Sequence, residues 1–337
     1  MSDLLDVVHG KAAMFYYGEL PWHKMGTPLS KPATAKEGLI AGGLDWDVKL
    51  APMFVVLANS SGVADYYQVP SNNAVVRPLD NNILGVVGTG YRPIQNRDAF
   101  DFFDSVVGEG QAIYHTAGSL MGGKRVWILA QLPGDMTVGE HDVIERFILF
   151  ANAHDGTMAV RMFYTPTRVV CYNTLTFALG KGEGQGISIR HTGNVKSKVE
   201  AAKEALGLGV AYYDELHKIS TAMLKKRLDE VEIEAFVKDV FAAKTEEDED
   251  ATGVQNSLMN ELRMIESGST GTLIEGQEGT LWNWLNTVVE YVDHRQPKSG
   301  RFPDDKREAR FDSILFGTGK NTKQRAFVAA TQLLKVG

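Results

Sequence analysis

Cysteine is almost missing from this sequence: among 337 residues there is one, Cys171. A single thiol excludes an internal disulfide framework and every zinc site built on several cysteines, and it fits a reducing compartment. Long apolar runs are missing too; no stretch approaches the ~20 residues of a membrane-spanning helix. The opening MSDLLDVVHGKAAMFYYGELPWH has no basic segment followed by an apolar one, so no secretory leader is expected and the cytoplasm is the expected location. An excess of positive charge is also absent. The formal net charge of −7 argues against a simple basic coat for duplex DNA but leaves room for a local basic surface.

Catalytic signatures are equally scarce. There is no HExxH, no CxxC and no His-x-His pair, and no carboxylate cluster that would hold the metal of a nuclease or nucleotidyl transferase. No catalytic residue and no cofactor are therefore expected. Three glycine clusters fail as nucleotide fingerprints. GVVGTG (85–90) leads into YRPIQN rather than directly into a helix and reads as a tight turn. FGTGKNT (316–322) has Ile314 where a phosphate loop needs glycine, and follows a helical pattern instead of a strand. GKGEGQG (180–186) has no helix after it. His154-Asp155 reads as part of a hairpin turn, His23 as a packing residue, and Cys171, among Val169, Val170 and Leu175, as a buried thiol.

What the chain does contain is hairpins and helices. Residues 1–50 are rich in turn signals and read as an irregular arm with one short helix near Thr34–Ala41. APMFVVLAN, ADYYQVP, NAVVRPL and ILGVVGTGYRPI read as strands. Asn96 offers a helix N-cap, followed by Phe100, Phe103 and Val107 at helical spacing. AIYHTAGSL and RVWILAQL flank MGGK, where Gly122-Gly123 suits a turn with positive φ. RFILFANA and MAVRMFYT flank HDG in a second hairpin. Thr165-Pro166 then predicts the start of a helix, TRVVCYNTLTFAL, running to Gly180. From Asn194 the pattern turns helical: VKSKVEAAKEAL, AYYDELHKISTAMLKKRL, EVEIEAFVKDVFAA, TLWNWLNTVVEYVDH, DKREARFDSILF and KQRAFVAATQLL. The charged TEEDEDATG (245–253) reads as an acidic linker. The expectation is an α+β fold: an arm at 1–50, an antiparallel hairpin-rich core covered by helices at 51–192, and a helical region at 193–337.

Basic residues are concentrated. Between Thr157 and Lys198 stand Arg161, Arg168, Lys181, Arg190, Lys196 and Lys198, opposed only by Glu183. Phe163, Tyr164, Tyr172 and Phe177 are interleaved, and Lys124 and Arg125 on the preceding hairpin could join them. Lys320, Lys323 and Arg325 form a second group. A basic groove with stacking rings is what single-stranded nucleic acid requires; a solvated face with core aromatics is the competing reading, and for Tyr164 and Tyr172 the apolar flanks favour the core.

PWHKMG, GTGYRPIQNRDAFDFFD, HTAGSLMGGKRVWILAQLP, HDGTMAVRMFYTPTRVVCYNTL and FGTGKNTKQRA together resemble phage- and plasmid-related proteins of a domain-of-unknown-function family, over nearly the whole chain. The resemblance carries no catalytic residue with it. It implies a setting among phages, prophages and conjugative plasmids. Tyr172 departs from the family pattern, which often has Asn before the Asn-Thr pair. The element order is also faintly similar to Rad52-like annealing proteins, an analogy of architecture alone. The expectation is a homo-oligomer that binds or anneals single-stranded nucleic acid in recombination or replication. The alternative is a counter-defence protein that binds a small nucleotide or a host partner protein.

Overall fold

The computed structural model describes residues 6–8, 10–18, 26–58, 62–107, 113–168, 187–192, 209–241, 251–297, 309–310, 313–314 and 317–335. The fold is mixed α+β, with sheets that are antiparallel in the main and helices mainly toward the C-terminus. Two compact units divide the chain, and both are discontinuous. Unit 1 takes 1–132, 148–163 and 186–207; unit 2 takes 133–147, 164–185 and 208–337.

Unit 1 is built on a seven-stranded sheet. Its strands are β3 (Met14–Tyr17), β4 (Thr27–Leu29), β8 (Ile113–Leu120), β9 (Arg125–Gln131), β12 (Phe147–Ala153), β13 (Val160–Tyr164) and β15 (Ile187–Ile189), in the order β15-β13-β12-β9-β8-β3-β4. β3 and β4 are parallel; β8 and β9 form the expected hairpin. Met121, Gly122 and Gly123 all have positive φ in its turn, a conformation glycine adopts without the Cβ penalty. β12, in mid-sheet, is buried at all seven positions, as its sequence, apolar at every position but Asn152, requires. The turn-rich first fifty residues thus supply two strands of this sheet, besides the short pair β1 (Val7–Val8) and β2 (Lys11–Ala12).

Helix α1 (Ala35–Ala41) is held by a capping box between Thr34 and Glu37. It lies so close to the sheet that a Cβ on Gly38 would come within 3.1–3.3 Å of the rings of Phe100 and Phe15. Helix α2 (Asn96–Val107) buries Phe100, whose ring lies 5.3 Å from that of Tyr114. Asn96 opens this helix but does not cap it as expected. Its side chain donates to the carbonyls of Leu44 (3.0 Å) and Trp46 (3.4 Å) and meets His154 Nε2 at 3.0 Å. A buried amide must find partners, and here the partners are distant in sequence.

A second sheet in unit 1 joins β5 (Lys49–Ala58), β6 (Ala64–Arg77) and β7 (Asn82–Gly88) in that order. ADYYQVP and NAVVRPL, read as separate strands, are one strand with a bulge. At its base Arg77 is 3% exposed, ion-paired to Asp6 and Asp80, and lies over the ring of Trp46.

Unit 2 has a small sheet of β10 (Met136–Val138), β11 (Asp142–Glu145) and β14 (Thr167–Arg168). Here the expected helix from Thr165 gives way. Thr165 N–H donates to the Phe147 carbonyl, and Thr167 and Arg168 pair with Glu145 and Ile144. The residue before a proline is disposed toward extended backbone, and sheet pairing uses that disposition. The remainder of the expected helix, 169–180, lies outside the described residues, as does 194–208. Among the described residues the unit also holds helices α3 (Gly209–Lys225), α4 (Glu230–Phe241), α5 (Ala251–Gly268), α6 (Leu281–Glu290) and α7 (Thr318–Lys335). The expected linker is helical from Ala251; its first residues, 245–250, are outside the described set. All ten residues of α6 are buried. Trp282 Nε1 donates to Asp142 at 2.8 Å and Gln277 donates to the same carboxylate, so the sheet and the central helix share one anchor. No helix among the described residues is long and apolar enough to cross a membrane.

Candidate functional site

At the end of β7 in unit 1 the chain turns through Gly88-Thr89-Gly90, closed by the Tyr91 N–H on the Gly88 carbonyl at 3.0 Å. This turn forms one wall of an open cleft of about 480 Å³. The other walls are the Gly156-Thr157-Met158-Ala159 turn ahead of β13 and the Arg190-His191-Thr192 segment after β15. All three walls belong to unit 1.

The cleft is braced from behind. Arg92 N–H donates to the His191 carbonyl at 2.7 Å, and His191 Nδ1 returns a bond to the Arg92 carbonyl at 3.2 Å. Tyr91 and His191 stack with centroids 4.6 Å apart. The Arg92 guanidinium donates to the carbonyls of Thr89 and Tyr91, fixing the glycine turn. Across the cleft the Asp155 carboxylate accepts from Thr157 N–H at 2.9 Å and from its hydroxyl at 2.5 Å. The Tyr91 hydroxyl reaches the Ala153 carbonyl, and burial raises its pKa well above the usual phenol range. Burial lowers His191, with the carbonyls of Arg92 and Met158 pulling the other way. The rings are therefore neutral walls near neutral pH, and the cleft's charge comes from Arg190.

Two glycines of the cleft, Gly88 and Gly90, differ from the tightly packed glycines of the unit. A Cβ on Gly85 would stand 2.5 Å from the Asp155 backbone, and one on Gly118 would meet the Ala13 carbonyl at the same distance. Packing demands glycine there. Gly88 and Gly90 have no left-handed φ, and a Cβ on either would meet nothing within 4 Å. Neither conformation nor packing accounts for these two. The space their missing side chains leave is the cleft itself, where bare backbone allows close approach of a ligand.

Beside the cleft, Arg161 on β13 pairs in register with Ser188 on β15, and Arg190 follows two residues later. Side chains two apart share a sheet face, and Arg161, Ser188 and Arg190 are all exposed. Of the three arginines named from the sequence, Arg161 and Arg190 thus stand on neighbouring segments of one sheet. The third, Arg168, lies on β14 of unit 2. Lys124 and Arg125, both half-buried, sit at the β8–β9 turn, where the Lys124 carbonyl accepts from His154 N–H.

Other expected contacts are structural. Tyr164 is 5% exposed, stacked on Tyr212 at 5.1 Å and edge-on to Tyr213, with its pKa pushed up to about 12 by burial. The apolar side of strand β13 turns that ring into core. Lys323 is fully buried, 2.8 Å from Asp293. Its place in α7 faces the π-turn Tyr291–Arg295 that follows α6, so it cannot reach a ligand. Arg325 is exposed but committed to the Val240 carbonyl and Thr322, and Lys320 is half-buried at the start of the same helix. Tyr172, Lys196 and Lys198 lie outside the described residues. Sequence reasoning missed the cleft because GVVGTG and HDG were each accounted for as turns. The signal was their recurrence on strands that the topology brings together.

Residues 83–322 match the profile of a domain of unknown function (DUF932). The chain belongs to the DUF932 family. The match begins in β7 and takes in every wall of the cleft, whereas β5 and β6 precede it. No curated protein and no solved structure matches the chain.

Proposed function

We propose that this DUF932 protein holds single-stranded nucleic acid, with the backbone passing the Gly88–Gly90 turn and running along the face that carries Arg161 and Arg190. The observation that carries the reading is the pair of unexplained glycines opposite an exposed, basic sheet face. A glycine wall admits a sugar-phosphate chain at short range, and the two arginines neutralise phosphates without reading sequence. The resemblance to phage and plasmid proteins supports a role in recombination or replication of mobile DNA, including annealing.

The test is fluorescence anisotropy with a labelled single-stranded oligonucleotide at low salt. Binding is expected for the native protein and a loss of at least about tenfold for Gly90→Val, equivalent to ~1.4 kcal/mol. Gly90→Val should leave the melting temperature unchanged, because the added carbons occupy open space. Absence of binding to DNA and RNA alike at about 10 µM protein, where even a micromolar complex forms, would sink the reading.

A second reading, a counter-defence protein that takes up a free nucleotide, is favoured by one observation. The cleft's volume of about 480 Å³ falls within the range of small-molecule sites. A stoichiometric nucleotide released from the purified native protein, and absent from Gly90→Val, would favour it over the first.

A further inference from the structure

β5 and β6 continue past the end of β7. β7 pairs only with 72–77, whereas Met53–Ala58 pair with Val69–Ala64 beyond it. The register breaks between Pro52 and Met53, so Pro70, Ser71 and Asn72 bulge between base and tip. The tip is a ribbon of six residue pairs, about 20 Å long at strand rise, with no third strand among the described residues. A lone two-stranded ribbon is marginal in water.

Its side chains are apolar on both faces. Val55 is opposite Tyr67 on one, and Val56 is opposite Tyr66 on the other. Phe54, Val55, Val56, Leu57, Tyr66 and Tyr67 are 46–70% exposed. Divided between the two faces, they present on the order of 300 Å² on each, an apolar patch on both sides of one ribbon. β5 is also the sheet's edge among the described residues, and beyond the break at Pro52 it carries no charge: between Lys49 and Arg77 the only charged residue is Asp65. Unprotected edges of this kind recruit further strands.

We infer that this ribbon is the interface between two copies of the chain, joined antiparallel through β5 across a two-fold axis. Three arguments select that occupant. Without a single Lys or Arg, the tip has nothing to offer phosphates, either of nucleic acid or of lipid headgroups. An edge that pairs antiparallel with its own copy satisfies the outward N–H and C=O groups of the Met53–Ala58 segment in both chains at once. An isologous pairing also needs no second gene product, because an uncharged edge is its own complement.

The test needs no nucleic acid, so it stands or falls separately from the function proposed above. Sedimentation of the full chain over ~1–50 µM should give a dimer, and Val55→Lys/Val56→Lys, which charges both faces, should raise the dissociation constant at least about 100-fold. Far-UV circular dichroism should not change. Hydrogen exchange should show outward amides in 53–57 protected in the native protein and unprotected in the variant. If the double variant fails to fold, Tyr67→Lys on the facing strand reads the same loss. A native protein that is monomeric throughout overturns the inference, as does a dimer that the lysines leave intact or one whose 53–57 amides exchange freely. Monomers that float with phosphatidylcholine vesicles would also overturn it, by assigning the ribbon to a membrane.

Discussion

Near neutral pH, His154 is an uncharged ring sealed inside unit 1, where burial first, and then electrostatic coupling to His191 and Arg77, push its pKa down to about 3. In the unfolded chain the same ring titrates at about 6.5. Between those values the unfolded state binds a proton that the native state refuses, so stability rises with pH across the window and is lost as pH falls from 6.5 toward 3. The loss is about 1.4 kcal/mol per pH unit at its steepest. His154→Gln, which can still meet Asn96, should flatten the dependence of melting temperature on pH by roughly one proton. Equal slopes for native and variant protein would contradict this. Lys323 is the opposite kind of buried group. Desolvation lowers its pKa against the pull of Asp293, yet it keeps its partner. Lys323→Met alone removes the ion-pair partner of the buried Asp293 carboxylate and should cost about 3–5 kcal/mol in urea unfolding. Lys323→Met with Asp293→Leu should recover most of that, and neither change should alter oligonucleotide affinity of the folded fraction.

Single elements differ in how openly the sequence declares them. The β8–β9 hairpin was legible because alternating apolar residues flank Gly122-Gly123, and local chemistry alone sets such a turn. The strand Thr167–Arg168 was not legible. Thr165-Pro166 is a sound local signal for a helix, but the partner that overrides it, Ile144-Glu145, lies more than twenty residues away. Helix α5 was passed over because its sequence, ATGVQNSLMNELRMIESG, has low overall hydrophobicity, and its buried face is confined to residues such as Leu262 and Ile265. Glycine roles were legible only in turns. Gly118→Ala should destabilise unit 1 by about 1–3 kcal/mol or more, since its Cβ would collide with the Ala13 carbonyl and the Trp127 ring. Gly88→Ala should be thermally neutral. Differential scanning calorimetry of the pair checks the contrast, and equal melting temperatures for the two variants would remove the argument that Gly88 is kept for the cleft.

At the scale of the molecule, charge should separate the two units' contributions. On single strands each neutralised phosphate contributes about −0.7 to the slope of log affinity against log salt. Arg161→Ala and Arg190→Ala should each shallow the slope by about that amount. Arg325→Ala, whose guanidinium serves the Val240 carbonyl, should leave it unchanged; a slope that ignores Arg161 and Arg190 would remove the sheet face from the proposal. The sequence by itself determined the class of this protein: hairpins announced by period-two strands and glycine turns, helices announced by three- and four-residue spacing, and a basic stretch around Arg161 and Arg190. Those properties are written in neighbouring residues. Only the tertiary structure decided which basic residues lie near one another, because strand pairing sets Arg161 opposite Ser188, two residues before Arg190, while Lys323 is drawn inside by Asp293. The cleft was decided in the same way. Its walls come from three turns that are unremarkable singly, and burial, register and steric contact exist only once the chain has brought them together.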